Sequence, residues 1–438
     1  MSYIDEMLEY IEKSVSAYQA VCEQKKMLEA AGFTELHEDE EYDIALGGNY
    51  YVVRGGSALI AFRVPASIPN KAVIMATHSD TPSFKIKNNP EMKVDDAYVK
   101  LNVEPYGGAI YSTWFDRPLS VAGRLFVKMN GSNSDPDEGL SEYVKEIPVD
   151  ADEDLLMIPS LAIHFDRDTN KGHAYDAQKE LLPIMSLDAS ADLMTKLCEK
   201  VNITKENLVS HDLFVYNREK AVKWGSDAEL VSSPRLDDAA CAFASVKSLI
   251  DADSAKEAGE AAVLRIHAMF NNEEVGSSSR CGACSTFLSD TLERVAASLS
   301  MYGTQYQKML ASSFMLSADN AHAFHPNYPE KNDPTNKVYL GRGIALKFAG
   351  NQKYTTDAES AAFVWKLADK AQIKLQKFHN NSNIAGGSTL GNLLVHSLPI
   401  LCADVGIPQF AMHSAYETCA ISDAEDMYKL GLELYKAE

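Results

Sequence analysis

Ala72-Val73-Ile74-Met75-Ala76-Thr77-His78-Ser79-Asp80 is the stretch on which the reading of this chain turns. Its unbroken apolar run is short for a helix and reads as a strand buried on both faces. A histidine and a carboxylate arrive as soon as that run ends. Three other stretches repeat the arrangement. Asn272-Glu273-Glu274-Val275-Gly276 follows the run Ala262 to Phe270, Asp319 ends Phe314-Met315-Leu316, and His413 ends Phe410-Ala411-Met412. Asp237 and Asp238, after Leu236, instead precede a helix. The ends of parallel strands are where an α/β sheet gathers distant sequence, and a metal site needs several Lewis-basic side chains converging on one point. Two histidines, at least three carboxylates and a spare glutamate are the inventory of a two-metal hydrolase.

Working outward, Tyr3 to Ala31 carries apolar residues at helical spacing, broken at Ser14-Val15-Ser16, since serine favours caps over helix interiors. Gly55-Gly56 separates two strand-like runs, Tyr50 to Val53 and Ser57 to Val64, as a hairpin turn would. From about Lys87 to Ser232 the character changes to short β-type runs: Val99 to Val103, Leu119 to Lys128, Leu161 to Phe165. Turn-rich acidic material divides them, at Asn130 to Gly139 and Asp150 to Asp154. Strand and helix patterns alternate again afterwards. Helices are expected at Asp238 to Asp251, Phe287 to Leu299, Asp357 to Ala371 and Ala424 to Lys436. Strands are expected at Ala262 to Phe270, Ser313 to Leu316 and Gln409 to Met412. Such alternation implies an α/β domain with a mostly parallel sheet flanked by helices. The expected division is a discontinuous domain, 1–87 with 232–438, interrupted by a β-rich domain at 88–231.

Length alone makes two domains the natural prior, because 438 residues exceed one ordinary core. Hydrophobic content of 46% and charged content of 24% are those of a globular chain. The net charge of −21 opposes nucleic-acid phosphates and anionic membranes, so neither is expected as a partner. An acidic ligand would need a local positive site to overcome that field. The start, Met1-Ser2-Tyr3-Ile4-Asp5-Glu6, has no signal-peptide pattern, and no run approaches the length of a membrane span. Seven scattered cysteines suit reduced thiols and a cytoplasmic location. Cys281 and Cys284 form a C-x-x-C pair, for which a buried structural role is the expectation.

Each site residue has a plainer reading beside the chemical one. His78 with Asp80 is either a loop histidine beside a turn-forming aspartate, or a ligand whose second ring nitrogen is fixed by a carboxylate. Asp237 and Asp238 either cap a helix and complement its dipole, or bridge two cations. Glu273 and Glu274 are the sharper signal, because two adjacent acids at the mouth of a sheet call for compensating cations. In a two-metal hydrolase one such acid ligates while its neighbour serves as general base. Nearby His322 and His325 compete with Asp319 and His413 for ligand roles.

The wording of these motifs, end to end, resembles the M18 aspartyl aminopeptidases. The matching stretches include Thr77-His78-Ser79-Asp80-Thr81-Pro82, Ser112-Thr113-Trp114-Phe115-Asp116-Arg117 and Arg235-Leu236-Asp237. They continue with Glu273-Glu274-Val275-Gly276-Ser277, Asp319-Asn320-Ala321-His322-Ala323-Phe324-His325-Pro326-Asn327-Tyr328 and Ala411-Met412-His413-Ser414. The resemblance implies that His78, Asp237, Glu274, Asp319 and His413 hold two divalent ions per subunit. Zinc is expected, with manganese or cobalt able to replace it. Asp237 would bridge, Glu273 would be the general base, and Asp80 would support His78. The β-rich insertion would be a dimerisation and substrate-gating domain, with dimers assembling into a tetrahedral dodecamer. His164, in Ile163-His164-Phe165, would then reach a neighbouring subunit's active site. Lys347, in Ala345-Leu346-Lys347-Phe348, would meet the substrate's acidic side chain with Tyr354 beside it. On its own, a lysine in an apolar strand is more often a snorkelling edge residue.

One departure bears on specificity. The loop Asn383-Ile384-Ala385-Gly386-Gly387-Ser388-Thr389-Leu390-Gly391 has Asn383 and Gly386 where the resemblance leads one to expect aspartate and cysteine. The expected activity is removal of an acidic N-terminal residue from peptides with a free N-terminus. The alternatives are a neutral or broad-specificity dinuclear aminopeptidase and a non-catalytic shell or scaffold homologue, against which an intact Glu273 argues.

Overall fold

The computed structural model describes residues 1–129, 143–252 and 262–437. The chain divides into two units. The first comprises Met1–Asp80, Ala221–Met412 and Glu417–Glu438; the second comprises Thr81–Lys220 and His413–Tyr416. The expected boundaries, after residues 87 and 231, move to Asp80 and Lys220 for a physical reason. Strand Ser83–Val94 is a member of the second unit's sheet, and Val222–Trp224 pairs with Leu230–Ser233 in the first. The acidic run at 130–139 lies outside the described residues.

A nine-stranded sheet organises the first unit. Across it the strands run Thr34–Leu36, Asn49–Arg54, Ala58–Arg63, Val263–Phe270, Lys71–His78, Phe314–Ala318, Leu401–Gly406, Ile344–Phe348 and Leu375–His379. The four from Val263–Phe270 to Leu401–Gly406 are mutually parallel. Antiparallel pairs flank them on both sides. Because both faces are covered, Lys71–His78 needs no polar alternation. Val73 and Met75 join one core with Met7, Phe243, Met427 and Leu434. Ala72, Ile74 and Ala76 join the other with Phe270, Phe287 and Leu394. Burying each larger side chain contributes roughly 1.5–3 kcal/mol, so a charge at Ile74 or Met75 would break the strand's seat.

The serine break near the N-terminus separates helices Tyr3–Lys13 and Ala17–Ala30, and the Ser16 side chain accepts from the Tyr18 N–H at the second start. The hairpin forms at Gly55 and Gly56, whose φ values of 59° and 66° are open to glycine without strain. A smaller five-stranded sheet brings together Val222–Trp224, Leu230–Ser233, Glu417–Ala420, Pro408–Phe410 and Ala321–His322.

Two strand expectations need correction. Gln409 to Met412 is not a strand of the principal sheet; Pro408–Phe410 belongs to the five-stranded one. The principal strand is Leu401–Gly406, where a buried aspartate interrupts the apolar run and masks it. Leu161 to Phe165 is not a strand at all. It is an exposed stretch, with Leu161 at 67% and Phe165 at 81% exposure.

In the second unit a six-stranded antiparallel sheet runs Val144–Asp150, Leu119–Lys128, Leu208–Asn217, Ser83–Val94, Tyr98–Tyr106, Ile184–Ser186. Its core holds Phe84, Trp114, Leu125 and Leu213, with Leu193 and Leu197 from helix Leu193–Lys200. Alternation suffices here because the sheet is antiparallel.

Candidate metal centre

Within the first unit, His78, Asp237, Asp238, Asp319, Glu273 and Glu274 converge. Oxygen and nitrogen atoms of His78, Asp237, Asp238 and Asp319 lie within 4.8 Å of one another, as do those of His78, Glu273 and Glu274. The local backbone explains why. His78 is the last residue of the strand Lys71–His78. Asp237 and Asp238 open helix Leu236–Asp251 with non-helical backbone angles, after Arg235 at φ 59°, and the peptide bond between them is cis. Neither is a simple helix cap. Glu273 and Glu274 form a single 3-10 turn between Asn272 at φ 63° and Gly276 at φ 91°. Asp319 follows Phe314–Ala318 directly.

His78 is held from both sides. Its Nδ1 lies 3.0 Å from the Asp80 carbonyl oxygen, which can only accept, so Nδ1 carries a proton and Nε2 is the nitrogen turned to the acids. That Nε2 is 3.6 Å from Asp237 Oδ1 and 3.9 Å from Asp319 Oδ1. Two ligands each about 2.1 Å from a shared tetrahedral ion stand roughly 3.4 Å apart, which is close to these separations. The His78 backbone N–H donates to Asp238 Oδ2 at 3.2 Å. Asp80 also accepts from the Glu273 and Glu274 N–H groups, at 3.1 and 3.2 Å.

Crowding of buried anions dominates the electrostatics. Burial pushes the Glu273 carboxyl up to about 8; His78 opposes this, and the charges of Asp319, Asp80 and Asp237 add to it. Burial likewise raises Glu274 and Asp238 well above the ordinary carboxylate range. Asp319 is raised by burial against the pull of Lys347. Burial alone would lower His78, yet the Asp237 and Asp80 contacts hold it well above its usual value. A pocket of one imidazole and five acids resists ionisation unless cations occupy it, so the donor set fits divalent metal.

Residues outside the expected ligand set complete the surroundings, two of them, Asp238 and Asn320, from the motifs themselves. Asp238 joins the cluster itself. Glu417 Oε2 accepts the Asp237 N–H at 3.0 Å. Gln409 Nε2 approaches Asp237 Oδ2 and Glu417 Oε1 at 3.5 and 3.4 Å. Asn320 donates to Leu236 O and Gln409 Oε1, both at 2.9 Å. A polar residue in an otherwise apolar strand was the available signal for Gln409.

Lys347 is buried. Its ammonium donates to the Asn320 carbonyl at 2.7 Å and lies 3.6 Å from Asp319 Oδ2 and 5.5 Å from the Tyr354 ring centroid. Burial would lower its pKa, but Asp319 leads the charges that raise it. His322 and His325 stand outside the acidic cluster and line a cavity of about 460 Å³ with Phe378, His379, Phe410 and Met412. Gln409 lines the same cavity.

His413 and His164 belong to the second unit. His413, at φ 67°, has Nδ1 3.2 Å from the Gly108 carbonyl, and its own carbonyl accepts the Ile110 N–H at 2.9 Å. It does not end a strand of the principal sheet. His164 is exposed. Cys281 is buried and Cys284 exposed, and neither is in a disulfide.

Residues 10–435 match the family described as "Aminopeptidase I zinc metalloprotease (M18)". The chain is 37% identical over 443 residues to the "Probable M18 family aminopeptidase 2" of Clostridium novyi (strain NT), covering 100% of this chain and 98% of that protein. It superposes with a TM-score of 0.93 on a chain of the "Ape4 and Nbr1 complex", at 30% identity over 98% of this chain and 85% of that one. The "S. cerevesiae mApe1 dodecamer" gives a TM-score of 0.84 at 25% identity, covering 99% of this chain and 95% of that one.

Proposed function

Because this chain belongs to the aminopeptidase I zinc metalloprotease (M18) family, and is therefore a metal-dependent aminopeptidase, we propose that it removes acidic residues from the N-termini of peptides. The observation that carries this reading is Lys347, a buried ammonium beside the acidic cluster on a chain of net charge −21. A substrate carboxylate reaching Lys347 would find there a fixed counter-charge that the overall field lacks.

In the proposed centre His78, Asp237, Glu274, Asp319 and His413 would hold two divalent ions, zinc in the first instance, and Asp237 would be the ligand shared between them. When bound, these ions supply Lewis acidity to the scissile carbonyl and acidify the attacking water. Glu273 takes the water's proton and delivers it to the leaving amine. Asp80 fixes the His78 ring and the backbone of both glutamates. Tyr354 walls the Lys347 ammonium. His164 lies in an exposed apolar stretch, which suits a residue offered to a second subunit; mApe1, to which this chain is structurally similar, is a dodecamer.

The 3.6 Å contact between Lys347 and Asp319 favours a second reading. If the ammonium is committed to Asp319, the substrate finds no free counter-charge, and specificity is neutral or broad. Chromogenic Asp-, Glu- and Leu-initiated substrates, assayed with and without added Zn²⁺ or Mn²⁺, separate the two. Preference for Asp and Glu supports the acidic reading; equal kcat/KM across the three removes it.

A further inference from the structure

Asp404 sits inside the strand Leu401–Gly406 and is wholly buried. Three donors converge on it. Oδ2 accepts the Thr355 N–H at 2.5 Å and the Thr355 hydroxyl at 2.6 Å, and Oδ1 accepts the Thr389 hydroxyl at 2.5 Å. Its own N–H donates to Thr356 Oγ1 at 2.8 Å. In the antiparallel register Asp404 is the partner of Lys347.

The two threonines belong to different loops. Thr355 follows Tyr354, whose ring faces the Lys347 ammonium. Thr389 closes the glycine-rich loop that departs from the expected pattern. That loop is tied elsewhere too: Lys353 Nζ donates to Gly386 O at 3.2 Å, and Gly391 N–H to Ser317 Oγ at 3.1 Å. A Cβ at Gly386 would lie 2.1 Å from Asn380 Nδ2, so a larger residue there would push the Asn380 side chain aside. A carboxylate only accepts, and no uncharged side chain of its size could satisfy three donors on two oxygens equally well.

We propose that Asp404 is a positioning residue for recognition of the substrate's acidic side chain, holding the Tyr354 turn and the glycine-rich loop in place around Lys347. This rests on the reading of Lys347 given above. The gentlest test is Thr389→Val, which removes one tether and keeps the side-chain shape, with Thr355→Val as the second variant. For an aspartyl substrate KM should rise about tenfold with kcat changed far less, and the loss should exceed that for a leucyl substrate at least fivefold. Thr389→Ser, which restores the hydroxyl, should recover most of it. An unchanged KM, or equal proportional losses on both substrates, overturns the inference. Lys347→Met run in parallel locates the failure. If it abolishes the acidic preference while both threonine variants keep it, only the role of Asp404 falls. If it too leaves the preference intact, the Lys347 reading falls first and this one with it.

Discussion

The carboxylate of Asp80 accepts the backbone N–H of Glu273 at 3.1 Å, and its other oxygen accepts that of Glu274 at 3.2 Å. One residue thus orients both glutamates while its carbonyl fixes the ring of His78. An asparagine in its place could offer only one accepting oxygen and would turn an NH₂ toward one of the two N–H groups. Asp80→Asn should therefore lower kcat or metal affinity about 10- to 100-fold, the usual range for partners of metal ligands. Steady-state kinetics with metal titration checks this; wild-type values would remove Asp80 from the machinery.

Metal removal should act on stability as well as activity. Without cations the buried carboxylates repel one another, so chelation should abolish peptidase activity and lower Tm together. At a hundredfold excess over its Kd, a bound ion stabilises by about 2.7 kcal/mol. Full peptidase activity after exhaustive chelation is incompatible with this centre.

Lys347→Met tests the counter-charge. Losing a buried ion pair costs about 2–5 kcal/mol. At roughly 1.4 kcal/mol per decade, that is about thirtyfold to several thousandfold in kcat/KM on an aspartyl substrate. A small and equal effect on leucyl and aspartyl substrates would instead assign Lys347 to Asp319.

His267 makes a pH prediction far from catalysis. It is fully buried between Ser245 Oγ at 2.7 Å and Gln24 Oε1 at 2.9 Å, and burial pushes its pKa down to about 3. The unfolded chain takes up a proton near 6.5 while the folded one does not, so stability is full above 6.5 and falls as pH drops toward 3. Between pH 7 and pH 5 the loss is about 2 kcal/mol. Urea unfolding of wild type and His267→Asn, both with chelator, should show their stability difference shrinking by that amount. A difference that does not change with pH counts against it.

Much of the fold was legible because it follows from local rules. The serine-capped helix pair, the glycine hairpin and the apolar strands ending in acid or histidine all follow from spacing and side-chain type. Leu401–Gly406 was missed because Asp404 looks like a break in an apolar run, and donors from two remote loops make its burial tolerable. Gln409 and Glu417 were missed similarly, since their partners Asp237 and Asn320 are distant in sequence. Leu161 to Phe165 had strand composition, but no strand among the described residues pairs with it.

Read alone, the residues supplied the chemical inventory: an imidazole and a set of acids placed at the ends of apolar runs. Side-chain type and its place relative to an apolar run are one-dimensional properties, so they survive without coordinates. The tertiary structure alone decided which carboxylates share a space. It put Glu417 against Asp237 and brought the Lys347 ammonium to 3.6 Å from Asp319. Burial and mutual repulsion exist only once distant segments meet, and they turn a list of acids into a site that calls for metal.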